Sequence, residues 1–172
     1  MVINRSKIGF GGGCHWCTEA IFQSLVGVEK VEQGFVASIN SNNSLSEAVI
    51  VHFNRKCITL KTLIEIHLLT HSSRSSHSMR QKYRSAIYTF DTSQEEAVNS
   101  LMVKFQNHFN EKLITKVLPF RYFEASRENF INYYFKNPKK PFCETFIDPK
   151  LKLLLQQFSQ YVNPDKVVHL QQ

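Results

Sequence analysis

Three consecutive glycines, Gly11-Gly12-Gly13, separate a strand-like run, Lys7–Phe10, from a segment in which Trp16, Ile21, Phe22 and Leu25 recur at roughly helical spacing. Glycine lets a chain turn sharply from strand into helix and lets a ligand come close to the backbone. Cys14 therefore falls at a helix start, where unpaired amides and the positive end of the helix dipole favour a thiolate. Cys17 completes a Cys-x-x-Cys one turn later. A lone cysteine is commonly just a small buried residue. The glycines, the helix start and the second thiol together point to a reactive one.

The remaining pattern alternates between strand and helix. Val28–Val36 and Ala48–Phe53 read as strands on either side of the polar loop Ser38–Ser46. Leu60, Leu63, Ile64 and Leu68 mark a second helix, and His71–Lys82 reads as a long loop. Ser85–Phe90 alternates as a strand, and Asp91-Thr92-Ser93 offers caps for a helix over about 94–109. Leu113–Leu118 is a further strand candidate. Helices around 128–135 and 151–161 flank the loop Lys136–Phe146. The order β-α-β-β-α-β predicts an α+β two-layer sandwich with a split βαβ, ferredoxin-like core and additional C-terminal helices and loop.

A chain of 172 residues with 42% hydrophobic and 20% charged residues can bury an ordinary core, which excludes a disordered or fibrous chain. One domain over 1–172 is expected, with its core at about 6–160 and a frayed tail after Pro164. Apolar runs are too short to span a bilayer, and MVINRSKIGF holds no secretory h-region. The expectation is a cytoplasmic monomer. Its 21 Lys and Arg against 14 Asp and Glu give a net charge of +7. Arg74, Arg80, Lys82 and Arg84 crowd into an acid-free stretch with His71 and His77, and Lys136, Lys139 and Lys140 form a second cluster. Such patches favour anionic partners and acidic protein surfaces. No reading helix, zinc module or stacking platform accompanies them, so nucleic-acid binding is not expected.

Gly13-Cys14-His15-Trp16-Cys17-Thr18-Glu19 resembles the G-C-F-W-G-x-E signature of the peptide methionine sulfoxide reductase A family. The likeness continues in order through Gly27-Val28 to Gly34-Phe35, Glu47-Ala48-Val49, Ile58–His71, and Gln81-Lys82-Tyr83-Arg84-Ser85-Ala86-Ile87-Tyr88. It ends on Lys136-Asn137-Pro138, Phe142-Cys143 and Ile147-x-Pro149-Lys150, and so spans roughly residues 6–160.

The resemblance implies a thiol-dependent reduction of the S-epimer of methionine sulfoxide, in proteins or as the free amino acid, with no metal or organic cofactor. Cys14 would attack the sulfoxide sulfur, and the resemblance assigns Glu47 as the acid that protonates the departing oxygen. A carboxyl that keeps its proton near neutral pH needs a poorly solvated site, and Ala48 and Val49 flank Glu47 compatibly. Tyr83 is the matching phenol, able to donate to the sulfoxide oxygen. Trp16 and His15 would wall the methyl pocket. His15 adds a titratable edge, to be spent on an ion pair with the Cys14 thiolate or on solvent. Phe35 stands where the family has a second substrate-binding Tyr, and Ser78 where it has an Asp; His77 and Arg80 are candidates to replace part of that polar network.

The sulfenic acid left on Cys14 would be resolved by Cys143 or Cys17, with Cys143 favoured for the first disulfide, and thioredoxin or a dithiol would reduce the product. Cys57 reads as a packing residue. Two other classes compete. One is a thioredoxin-like dithiol oxidoreductase, for which Pro119 is the only mid-chain proline candidate. The other is a non-catalytic zinc- or peptide-binding module, with His67 and His71 at helical spacing.

Overall fold

The run Ala48–Val51 owes its apolar character on both faces to a central place in the sheet. The computed structural model describes residues 4–73, 75 and 78–171. Its elements are β1 (Arg5–Gly11), α1 (His15–Gln23), β2 (Val28–Ala37), β3 (Ser46–Asn54), α2 (Leu60–Thr70) and β4 (Ala86–Thr89), then α3 (Thr92–Gln106), β5 (Lys116–Pro119), β6 (Tyr122–Ala125), α4 (Tyr133–Lys136) and α5 (Asp148–Phe158). The sheet order is β5-β4-β1-β3-β2-β6. β3 pairs antiparallel with both β1 and β2, and β1 pairs antiparallel with β4. Each of the first two helical crossovers thus skips one strand position, the split βαβ arrangement expected from the element order. α3 returns the chain so that β5 lies parallel to β4, and β6 adds antiparallel to β2.

The period-2 alternation of β3 divides its side chains between two clusters. Val49, Val51 and Phe53 join Ile8, Phe10, Phe22 and Leu63 in the main core under the helices. Ala48 faces the other way, with Val36, Ala86 and Tyr88, beneath Leu118, Phe120 and Phe123. At the start of α3, Asp91 accepts from the Gln94 amide at 2.7 Å and Gln94 Oε1 accepts from the Phe90 amide at 2.9 Å, a reciprocal cap. No helix of the described residues is long and apolar enough to cross a membrane.

Several expectations are corrected. Residues 122–125, not anticipated as a strand, form edge strand β6, whose mostly exposed side chains carry no alternation to read. The helix expected over 128–135 breaks into a 3-10 turn, Glu128–Phe130, and α4, because Asn132 between them adopts a left-handed conformation (φ 56°). Cys143 does not sit in a polar loop. It is fully buried in a single π-turn, Cys143–Ile147, that runs into α5. Cys57, expected to pack, is exposed.

The tail does not fray. Val26 N–H donates to Tyr161 O at 2.7 Å and Asn163 N–H to Ser24 O at 2.8 Å, pinning the chain beside the end of α1. Val167 is fully buried, and His169 Nε2 lies 2.6 Å from the Tyr134 hydroxyl. The basic stretch is not a free patch either. Arg84 is buried, donating to Val36 O and Ser44 O at 3.0 Å and to the Tyr88 hydroxyl at 3.1 Å. Arg74 and His77 lie outside the described residues, as does the side chain of Ser78.

Candidate active site

The glycine run acts chiefly through Gly12. Its φ of 151° disfavours any side chain, and a Cβ there would come within 2.4 Å of the His71 ring. That ring cannot step aside cheaply. Nδ1 donates to His67 O at 2.5 Å and Nε2 accepts from the Ser85 hydroxyl at 2.8 Å, while burial holds the imidazole neutral, its pKa lowered to about 4. Arg80 adds a staple, donating to Gly12 O at 2.8 Å and Tyr83 O at 2.9 Å. Gly12→Ala is expected to cost about 2–3 kcal/mol of folding stability, measured by denaturant unfolding. Open space surrounds Gly13, so Gly13→Ala should cost far less.

This turn delivers Cys14 to the N-cap of α1, its carbonyl accepting from the Cys17 amide at 3.1 Å and the Thr18 amide at 3.3 Å. The Cys14 thiol is held below its ordinary pKa, first by a hydrogen bond from the Cys17 thiol and then by the Trp16 and Cys17 amides; burial and the nearby Glu47 charge oppose this. The Cys17 thiol is pushed well up by the same bond and by burial. The pair is thus divided into a thiol that ionises more readily and one that holds its proton.

A cavity of about 480 Å³ opens beside Cys14, lined by His15, Trp16, Phe35, Glu47 and Tyr83 together with Lys82, Ser126, Arg127, Phe130 and Phe142. The six residues singled out in the sequence for attack, acid and substrate contact therefore share one hollow. Phe35 and Glu47 are directly opposed across β2 and β3, so their side chains leave the same face. The start of β3 is tied to the loop bearing Tyr83: the Glu47 amide donates to Lys82 O at 3.0 Å, and Ser46 bridges Lys82 O and the Arg84 amide. His15 does not reach the Cys14 thiolate as an ion-pair partner, and it is not solvated. Its ring is buried, with Nδ1 2.7 Å from Gly34 O and Nε2 3.2 Å from Glu47 Oε1, and burial lowers its pKa.

The aromatic wall is built on Trp16. Tyr133 stacks on it at 4.1 Å and 10°, Phe130 at 5.6 Å, and Phe142 meets it edge-on at 5.3 Å. Sequence reasoning missed what holds this stack. Glu19, fully buried, accepts from the Asn132 amide at 3.0 Å, the Tyr133 amide at 3.1 Å and Gln33 Nε2 at 2.9 Å. It fixes the left-handed turn at Asn132 and so the Tyr133 ring. The only signal was its place in the Cys14–Glu19 motif. Ser126 also escaped notice; its buried hydroxyl lines the cavity with no hydrogen-bond partner among the described residues, and buried Trp16 Nε1 likewise has none.

Cys143 is fully buried in the same core cluster as Cys17. The candidate zinc pair spends its nitrogens within the fold: His67 Nε2 lies 2.8 Å from Gly11 O, and both His71 nitrogens are engaged. Among the described residues no three His, Cys, Asp or Glu side chains are grouped to hold a metal. Pro119, the proline of the dithiol alternative, ends β5 and does not line the cavity.

Comparison with known proteins places the chain in a family and shows where its fold recurs. The family model described as peptide methionine sulfoxide reductase matches residues 6–162. Peptide methionine sulfoxide reductase MsrA of Pasteurella multocida is 30% identical over 155 residues, covering 82% of this chain and 89% of that one. The MsrA of Trichodesmium erythraeum is 30% identical over 172 residues, covering 91% and 97%. Among solved structures, Mxr1 from Saccharomyces cerevisiae in reduced form superposes with a TM-score of 0.68 at 21% identity, over 83% of this chain and 91% of that one. Methionine sulfoxide reductase A of Corynebacterium diphtheriae gives 0.66 at 21% identity, over 80% and 77%; both share the fold. With a family model spanning nearly the whole chain and relatives at this identity and coverage, the chain belongs to the peptide methionine sulfoxide reductase family.

Proposed function

We propose that the chain reduces the S-epimer of methionine sulfoxide, in proteins and as the free amino acid, through a sulfenic acid on Cys14, with thioredoxin as the final reductant and no metal or organic cofactor. One observation carries this reading. A thiol of lowered pKa, at a helix N-cap one turn before a second free thiol, faces an aromatic cavity whose buried carboxyl belongs to Glu47.

The sulfoxide methyl group seats against Trp16, whose face suits sulfur and methyl contact. Phe35 and Phe130 complete the apolar wall. Cys14 thiolate attacks the sulfoxide sulfur while Glu47 protonates the oxygen and Tyr83 donates a hydrogen bond to it. The sulfoxide sulfur gains two electrons and the Cys14 sulfur loses two, leaving methionine and Cys14–SOH. A second thiol then displaces water to form a disulfide. The Cys14 thiol is set first by the Cys17 thiol one turn on, which supports Cys17 over Cys143 as its partner in the first disulfide. Cys143 is fully buried in the core cluster that also holds Cys17, so thioredoxin meets the disulfide at Cys14.

Cys17→Ser is therefore expected to complete one reduction and then stall, lowering turnover with thioredoxin by ~10-fold or more. Cys143→Ser should lower it less, as read by NADPH consumption in a coupled thioredoxin reductase assay. A larger loss from Cys143→Ser than from Cys17→Ser would place the first disulfide at Cys143. Thioredoxin suits a disulfide formed at a partly exposed Cys14 beside the hollow shared by Gly13, Cys17, Phe146 and Lys150. A structure of Mxr1 from Saccharomyces cerevisiae in complex with Trx2 has a related fold, with a TM-score of 0.56 at 16% identity. Four free thiols suit a reducing compartment, the cytoplasm.

The reading is tested by chromatography of a dabsylated methionine sulfoxide peptide with dithiothreitol as reductant. The S-epimer should be consumed and the R-epimer spared. Binding of the peptide without formation of methionine would make the chain a peptide-binding module instead.

A further inference from the structure

His15 stands where the family signature carries phenylalanine, and its ring makes two contacts that phenylalanine cannot. Nδ1 lies 2.7 Å from Gly34 O, an oxygen that only accepts, so Nδ1 bears a hydrogen. Nε2 then faces Glu47 Oε1 at 3.2 Å, with both side chains only 7% exposed. A bare nitrogen lone pair against a carboxylate oxygen, out of water, would be repulsive. A proton therefore lies between them, as imidazolium with carboxylate or as imidazole with carboxylic acid. Phe35 meets the His15 ring edge-on at 5.1 Å and shields it.

The other groups around this pair come from several elements. The His15 amide donates to Oε1 at 3.2 Å, and Lys82, ahead of β4, places Nζ 3.7 Å from Oε2. The Cys14 thiol stands at the N-cap of α1, and Tyr83 and Arg127 line the same cavity. Glu124 of β6 is opposite Phe35 in register and exposed.

We propose that His15 and Glu47 form one proton-delivering dyad, in which His15 is the positioning residue that keeps on Glu47 the proton required by the sulfoxide oxygen. The inference rests on the reductase reading above. In the step, the S–O bond of the sulfoxide breaks and an S–O bond forms on Cys14. The shared proton passes to that oxygen, and neutral His15 with a Glu47 carboxylate remains until solvent returns the proton. Without the imidazole, the Glu47 carboxyl keeps as partners the residue-15 amide and Lys82, a donor and a cation, neither of which can share a proton with it.

His15→Phe restores the family's ring and should fold. Its single-turnover rate relative to wild type should be about tenfold lower near pH 8 and approach one near pH 5.5, the alkaline limb moving down by about one unit. A ratio that stays constant with pH would reduce His15 to a packing residue and overturn the dyad. The second measurement needs no substrate. ¹⁵N-histidine NMR should show His15 titrating at lower pH in Glu47→Gln than in wild type, because the carboxylate favours the imidazolium. An unmoved titration overturns the dyad even where methionine forms. A wild-type chain that forms no methionine overturns proton delivery and the reductase reading together, and a titration that still moves locates the failure in the reaction rather than in the pair.

Discussion

Cys14→Ser is expected to leave a folded chain that forms no methionine, with single-turnover reduction down by ~10³-fold or more. The reason is the chemistry of one atom. A serine hydroxyl at the N-cap does not ionise near neutral pH, and its oxygen has no two-electron step comparable to thiolate going to sulfenic acid. Folding should not suffer, because Cys14 is only partly buried and makes no side-chain cap. Serine is a favoured N-cap residue, so thermal unfolding should be unchanged or shifted slightly upward. Retained turnover in this variant would remove Cys14 as the nucleophile. Lost turnover together with lost folding would point to a structural cysteine.

Glu47→Gln is the second large effect, a fall of about 10²–10⁴-fold in the chemical step with the thiol count unchanged. Glutamine keeps the shape and can still accept from the residue-15 amide at the position of Oε1. What it loses is the proton, and with it the route by which the sulfoxide oxygen leaves. The ion pair with Lys82 is lost as well, but at 3.7 Å to a side chain 57% exposed it contributes little to stability. A rapid-quench time course should therefore show slow methionine formation from a normally folded protein. A rate within a few-fold of wild type would assign the proton to another donor.

What could be read from the sequence was what is local. The glycine turn, the start of α1 near Cys14, the strand run of β3 and the cap at Asp91 each depend on near neighbours along the chain, and each stands where expected. The element order gave the split βαβ core. Four features escaped because distant partners impose them. Asn132 breaks a helical pattern because Glu19, more than a hundred residues earlier, claims its amide. Cys143 is buried by packing against the core. Arg84 looks like part of a free basic patch until Val36, Ser44 and Tyr88 take its donors. β6 has no pattern of its own and is a strand because β2 offers an edge. The site divides in the same way. Cys14, Glu47, Tyr83 and Trp16 were legible through their motifs, whereas the His15–Glu47 contact needs β3 folded against the start of α1.

The most direct measurement is single-turnover reduction of each methionine sulfoxide epimer without added reductant, counting free thiols before and after. The expected result is one methionine per chain from the S-epimer only, with two thiols lost, Cys14 among them by mass spectrometry of the disulfide-linked peptides. No methionine from either epimer, or methionine formed with Cys14 still reduced, would contradict the assignment of this thiol as the reductant of the sulfoxide.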